Sequence, residues 1–289
     1  MFPAVTKIVH LKGSAVKVHL CSTGGVSVKS RFRVARWKEF PAMLDFLLDR
    51  NFTKWMPIWV MVIEHPAGIF VIDTGEIAAV NTPAYFNASG IFTRWFNKTQ
   101  FRFRVMREEE IDRQLLRLDI SPEKIHKVIL SHLHLDHTDG LCHFPTAQIL
   151  VSKAEWERPY GDLPDLYPKW FKPGLLELND SFDVFSKARF LTPSGDLLLV
   201  ETAGHTHHHC SVILLADEGY IFFGADCCYS QEDLLNNNYA GSMANAELAA
   251  QTFKTILQFA YRNKVIFLPS HDGAAGVRLK SLDPLPGQK

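Results

Sequence analysis

The sequence predicts a mixed α/β fold in which β-sheets are sandwiched between helices. Short apolar runs of strand length alternate with segments of helical periodicity in both halves of the chain, and polar clusters rich in His and Asp stand directly after the apolar runs. The 289 residues, 47% apolar and 21% charged, are enough to bury a full core, and no repeat, low-complexity tract or linker divides them. One continuous domain over residues 1–289 is the expectation, with a helical, aromatic insertion around residues 30–56.

Each element follows from its local pattern. Phe40, Met43, Leu44, Leu47 and Leu48 recur at three- and four-residue spacing and predict an amphipathic helix over 39–50. Between residues 55 and 72 two apolar runs, IWVMVIE and GIFVID, flank His65-Pro66-Ala67-Gly68 and read as a hairpin, which Asp73-Thr74-Gly75 ends. Residues 108–118 form another expected helix, and Ser121-Pro122 an N-cap with Pro at the first helical position. Val128-Ile129-Leu130 reads as a buried strand leading into SHLHLDHTDG; a strand that ends in a polar loop holds chemistry rigidly at the surface. Further strands are expected at 148–152, 197–202, 211–216, 220–224 and 265–268, and a helix at 245–261 with Leu248, Phe253, Ile256, Leu257 and Ala260 as its stripe.

Composition excludes several classes. Lys+Arg and Asp+Glu both number 31, so nothing suggests a nucleic-acid partner, whose binding rests on cationic neutralisation of phosphates. The most apolar stretch, 55–72, is broken by Pro57, Glu64, His65, Pro66 and Gly68, so no membrane span and no membrane partner are expected. The N-terminus MFPAVTKIVHLKG lacks the pattern of a signal peptide, and five cysteines, an odd number, argue for free thiols; both point to the cytoplasm.

The chemistry concentrates in His132-Leu133-His134-Leu135-Asp136-His137. In an extended loop alternate residues project to one side, so His132, His134 and Asp136 can converge while a turn brings His137 nearby. Imidazole and carboxylate suit zinc and similar divalent ions, and four such donors exceed what one tetrahedral ion draws from a single loop, which points to two ions.

From this hexapeptide onward the chain resembles the metallo-β-lactamase superfamily, whose H-x-H-x-D-H signature is followed by an isolated His, an Asp and a final His at strand ends. Thr202-Ala203-Gly204-His205, Gly224-Ala225-Asp226 and Ser270-His271 match these in order, and Asp73-Thr74-Gly75 resembles an early supporting element. The resemblance covers about residues 58–272. It implies an αββα sandwich of two mixed β-sheets flanked by helices. It also implies one ion held by His132, His134 and His205, a second held by Asp136, His137 and His271, and Asp226 as the bridge. Two ions sharing a water would lower its pKa to near neutral and polarise a substrate oxygen. Zinc is the foremost candidate, with iron, cobalt or manganese open according to supply. Ala203 replaces the family's usual Pro, and His207-His208 its frequent Pro-Gly; His207, His208 and His209 read as loop or supporting groups.

Tyr229, three positions after Asp226, resembles a tyrosine of the N-acyl homoserine lactonases whose hydroxyl reaches the substrate carbonyl, the oxyanion donor that lactone opening requires. The resemblance therefore implies a dinuclear hydrolase that opens N-acyl homoserine lactones and quenches quorum-sensing signals. In that scheme Asp136 shuttles a proton, and a homodimer is possible. Another lactonase or esterase, or an organophosphate triesterase, is the alternative; a non-catalytic sensing module would show a degenerate ligand position, and none of the seven is degenerate. Cys227 and Cys228 read as packing residues. Trp37, Phe40, Phe46, Trp55, Trp59, Phe92, Trp95, Phe96, Phe101 and Phe103 are divided between core, acyl-chain pocket and dimer interface, and Arg94, Lys98, Arg102, Arg104 and Arg107 read as a solvated face.

Overall fold

The apolar runs become the central strands of two mixed β-sheets, seen in a computed structural model that describes residues 2–37, 39–82 and 84–287. The first sheet holds β1 (Val5–Leu11), β2 (Ser14–Val28), β3 (Met56–His65), β4 (Gly68–Ile72), β5 (Phe101–Arg104), β6 (Ile125–Leu130), β7 (Gln148–Ser152) and β8 (Gly174–Leu176). Their order is β1-β2-β3-β4-β6-β7-β8, with β5 paired to β2. Pairing is antiparallel from β1 to β4 and parallel from β4 to β8. The second sheet holds β9 (Asp180–Phe182), β10 (Phe185–Phe190), β11 (Leu197–Glu201), β12 (Cys210–Ala216), β13 (Gly219–Ala225) and β14 (Val265–Pro269), in the order β14-β13-β12-β11-β10-β9. Only β13 and β14 pair in parallel there.

Helices cover both outer faces and the rim: α1 (Ser30–Arg33), α2 (Glu39–Leu48), α3 (Ile91–Gln100), α4 (Ile111–Arg117), α5 (Leu135–Thr138), α6 (Lys153–Glu157), α7 (Gln231–Leu235), α8 (Ala246–Arg262) and α9 (Ala275–Ser281). Successive strand residues face opposite ways, and here both ways are apolar. Met61, Ile63 and Ile72 meet Leu197, Leu199, Ile221 and Phe223 between the sheets. Val60 and Val62 turn outward against Ile111 and Leu115 of α4, while Leu198 and Phe222 turn outward against Phe253, Ile256 and Phe259 of α8. Strands buried on both faces read as unbroken apolar runs, which is why β3, β11 and β13 are visible in the sequence.

The hairpin, the strand at 148–152 and the last four strands of the second sheet stand within a residue or two of their expected bounds, while β9 and β10 were not expected. Two expectations change and a third is widened. The helix at 108–118 splits into a single turn at Arg107–Glu109 and α4, because Glu110 between them is extended. Its carboxylate is drawn to the Ala78 amide at 3.1 Å and to His143 at 2.8 Å, a tertiary demand that local periodicity does not show. Pro122 does start a short turn, but the Ser121 side chain makes no capping hydrogen bond. In α8 Phe253, Ile256 and Ala260 of the expected stripe are buried, with Leu257 packed beside them, and Ala249, Thr252 and Phe259 widen the buried face. The Phe40 side chain lies outside the described residues.

β1 and β2 carried no clear signal because buried polar residues interrupt β2: His19 bonds Thr6 at 2.8 Å and Glu64 at 3.1 Å, and Ser22, Thr23 and Ser27 are buried beside it. No described helix is long and apolar enough to cross a membrane. What positions the site is the strand polarity: β11, β13 and β14 run the same way, so their C-terminal ends open on one edge, where the loop after β6 meets them.

Candidate metal centre

The chain leaves β6 at Leu130 and stays irregular through His134, then enters α5 at Leu135. The expected extended alternation therefore holds for His132 and His134 only; Asp136 and His137 sit in the first turn of α5, and the helical turn divides the motif between two groups. His134 Nδ1 lies 3.0 Å from His132 Nε2 and 2.9 Å from His205 Nε2. Asp136, His137 and His271 form the second group, with His271 Nε2 3.2 Å from Asp136 and His137 Nε2 3.8 Å from it.

Asp226 reaches both. Its Oδ1 is 3.3 Å from His137 Nε2, and its Oδ2 is 3.2 Å from His271 Nε2 and 3.5 Å from His205 Nε2. The aim of this carboxylate is set by an irregular strand end: the β13–β14 register shifts between Phe223 and Ala225, and Ala225 adopts φ +45°, a left-handed value that is costly for a residue with a Cβ. Gly224 allows the kink, since a Cβ there would stand 2.8 Å from the Phe267 ring. Strain of this kind persists only where the surroundings over-determine it.

Those surroundings include buried hydrogen bonds that fix His132, His137, His271 and Asp226 from behind. Asp73, itself at φ +62°, accepts from His137 Nδ1 at 2.7 Å, from the Ser131 hydroxyl at 2.8 Å and from the Ser131 amide at 2.7 Å; the same hydroxyl lies 3.0 Å from His132 Nδ1. The Pro57 carbonyl accepts from His271 Nδ1 at 2.8 Å. His209 Nε2 accepts from the Asp226 amide at 3.1 Å, which gives it the supporting place expected of it; His207 and His208 likewise stand outside the donor groups. The loop carrying His205 holds its course without the usual Pro: the Ala203 carbonyl accepts from Thr252 at 2.7 Å, and Gly204 packs so closely on Ala249 that a Cβ would come within 2.5 Å. Partners of this kind orient and tune metal-ligating side chains.

The donor set fits two cations. Burial, reinforced by the neighbouring rings, pushes His132 and His205 well below the usual histidine range, so both are neutral and their lone pairs are available. A tetrahedral ion with bonds of roughly 2.0 Å separates its ligand nitrogens by about 3.3 Å, close to the spacing of the first group. Around the second group burial opposes charge, yet Asp226 and Asp136 lift His271 to about 10, and Asp226, Asp73 and Asp136 raise His137. His137 Nε2 and Asp226 Oδ1 are both buried and, although 3.3 Å apart, make no hydrogen bond; a divalent ion among them would satisfy both and displace those protons.

Above these donors opens a cleft of about 1130 Å³. His134, Asp136, His205, Asp226, Tyr229 and His271 form its floor, and Phe32, Phe46, Phe92, Phe96, Phe101 and Phe103 its roof, with Trp37 at the rim. The Tyr229 ring lies 5.3 Å from that of His271; burial and then Asp226 and Asp136 raise its hydroxyl well above the usual phenol range, so it stays a proton donor. The aromatic residues divide as follows: Trp59 is core, its Nε1 donating to the Asp272 carbonyl, while Trp55 and Trp95 are exposed and do not line the cleft. All five cysteines are free; Cys227 and Cys228 pack behind the second sheet.

Two features went unread in the sequence. Glu76 and Asp139 form a buried pair under the loop, both carboxyls raised by burial, with the Tyr85 hydroxyl donating to Asp139. Their signal was faint, an acidic residue directly after Asp73-Thr74-Gly75 and another two residues after His137. Glu110, Asp112 and His143 also come within metal-binding distance of one another, but Arg107 already neutralises them through paired 2.6 Å bonds to Asp112 and a 3.3 Å contact to Glu110.

The family profile of the metallo-beta-lactamase superfamily matches residues 53–271. An N-acyl homoserine lactonase of Bacillus sp is 28% identical over 220 residues, covering 75% of this chain and 82% of that protein. Among solved structures, an N-acyl homoserine lactone hydrolase with N-hexanoyl-L-homoserine product at its catalytic metal centre superposes with a TM-score of 0.70 at 19% identity, over 88% of this chain and 92% of that one. AidC, a dizinc quorum-quenching lactonase, gives 0.61 at 15% identity, over 94% and 92%. The two mixed sheets flanked by helices are thus the fold these enzymes share.

Proposed function

The chain belongs to the metallo-β-lactamase superfamily, and on that premise we propose that it is a dinuclear-metal hydrolase that opens the lactone ring of N-acyl homoserine lactones. The observation that carries the reading is the placement of Tyr229 beside two donor groups that share Asp226, at the floor of a cleft roofed by phenylalanines. The lactonase names of the relatives support it. His132, His134 and His205 would hold one ion and Asp136, His137 and His271 the other, with Asp226 between them. Zinc suits this nitrogen and oxygen donor set, and the dizinc relative supports it.

Two bound cations would supply an activated water near neutral pH and polarise the lactone carbonyl. Tyr229 donates a hydrogen bond from its hydroxyl to the carbonyl oxygen as negative charge gathers there, and keeps its proton. Asp136 accepts the proton released by the attacking water and passes it to the ring oxygen as the C–O bond breaks, so water is consumed and the open-chain N-acyl homoserine leaves. The apolar roof takes the acyl chain. The five unpaired cysteines favour a reducing cytoplasm as the place of action.

The test is metal analysis combined with a substrate panel. Protein reconstituted with zinc should carry about two equivalents per chain and release protons on adding a homoserine lactone, with the activity lost to a chelator. Full activity at a single equivalent would end the dinuclear scheme. Hydrolysis of a phosphotriester with no turnover of any lactone would replace the lactonase by its alternative.

A further inference from the structure

We infer that the α2–α3 rim of the cleft is a docking surface for anionic lipid bilayers, on which the protein lies without crossing. The amphipathic helix α3 packs Phe96 inward against Phe32 and Phe46 and turns Ile91 and Trp95 outward, Ile91 being 90% exposed; Phe92 at its flank is 71% exposed. Leu48 at the end of α2 is 79% exposed, with Leu44 beside it. The exposed Met43 of α2 and Phe92 of α3 line the same cleft, so apolar side chains of both helices meet at its mouth. Exposed apolar clusters mark an interaction site, and tryptophan is favoured where bilayer meets water.

The charge around the patch selects the occupant. Residues 77–107 contain five basic side chains and no acidic one, in a chain whose net charge is zero. Arg94 and Lys98 flank the exposed face of α3, and Arg102 and Arg104 follow on β5; among the described residues none of the four has a carboxylate within 4.0 Å. Asp45 of α2 is already paired with Arg36. Apolar residues interleaved with unpaired cations are the pattern of a helix that lies in a lipid interface. A second copy of the chain meeting this face symmetrically would instead set the same cations against one another. On the lactonase reading, on which this consequence rests, a long-chain substrate dissolved in the leaflet would meet the cleft at its apolar rim.

The test measures binding without substrate, so it stands apart from the activity. The metal-loaded protein is floated with phosphatidylcholine vesicles, with and without phosphatidylglycerol, over a range of salt. Binding should need phosphatidylglycerol and fade as salt rises. Arg94→Glu/Lys98→Glu should weaken it by about thirty-fold or more, taking roughly tenfold in affinity for each 1.4 kcal/mol and about 1 kcal/mol for each cation near the surface. Ile91→Ser/Trp95→Ser should weaken it at every salt concentration, while metal content and melting temperature stay at wild-type values. Wild-type binding that ignores lipid charge and salt would overturn the inference even if a variant failed to fold. So would a dimer in sedimentation that Ile91→Ser/Trp95→Ser dissolves, because the face would then belong to a second copy.

Discussion

At the floor of the cleft donors are held by directional bonds, His137 by Asp73 at 2.7 Å and His271 by the Pro57 carbonyl at 2.8 Å, whereas the roof is held by contact alone. Phe32 meets Phe46 with ring centroids 5.3 Å apart and Phe101 at 4.9 Å, edge to face, and no polar atom is needed to place them. A hydrogen-bonded floor tolerates little displacement, because a buried group left without its partner costs the full loss of its hydration. A roof of packed rings can shift and repack at small cost. The floor should therefore govern rate on every substrate alike, and the roof should govern which acyl chain is preferred.

The strongest attempt to break this division is Asp226→Ala. Losing the carboxylate that reaches both groups should lower bound metal below about two equivalents. It should also reduce kcat by more than about 10³-fold, beyond what one oxyanion donor supplies, on short and long chains equally. A loss confined to long-chain substrates would show that floor and roof are not separate. Tyr229→Phe comes next: removing one donor of a shared task should cost about 10²- to 10³-fold in kcat, or somewhat less, with metal content unchanged. Wild-type kcat and KM on every homoserine lactone would remove the lactonase-specific part of the reading.

The same contrast explains what could be read in the sequence. His132, His134, Asp136 and His137 are legible because few other uses call for four such residues in six, and polar groups at strand ends have narrow geometric options. Asp226 could be read as a bridge from a resemblance, but its aim depends on the Ala225 backbone, which no residue type announces. The roof was only partly legible. Phe46, Phe96 and Phe101 could as well have been core, since apolar packing has no direction and a phenylalanine in a loop-like segment reads the same in either place. β2 and the break at Glu110 were hidden for a third reason: His19, Ser27 and Glu110 satisfy tertiary partners and so disturb the local pattern from which elements are read.

On the roof, Phe96→Ala should raise KM for long-chain substrates by about tenfold, the size of a modest apolar contact, and leave short-chain kcat unchanged. Initial rates across a chain-length series check it. A fall in short-chain kcat as large as the long-chain effect would mean that the roof also positions the floor.

The smallest effect concerns stability and separates the two regions by pH. Behind the floor, Glu155 is fully buried, accepts from the Thr206 hydroxyl at 2.7 Å and leaves its other oxygen without a partner. Burial pushes this carboxyl up to about 7. Its pKa is higher in the folded chain than in the unfolded one, so the unfolded chain loses the proton first as pH rises. The contribution to stability is then full below the ordinary glutamate value of about 4.5, declines between there and 7, and is gone above; it is on the order of 3 kcal/mol at most. Glu155→Gln keeps an acceptor for Thr206 and cannot ionise. The melting temperature of the variant relative to wild type should therefore rise between pH 5 and 8, while chain-length preference, set by a roof with no buried carboxyl among its rings, stays constant. A difference in melting temperature that does not change over that range would show that Glu155 is ionised at no cost, and that the polar scaffold behind the floor is better satisfied than its unpartnered oxygen implies.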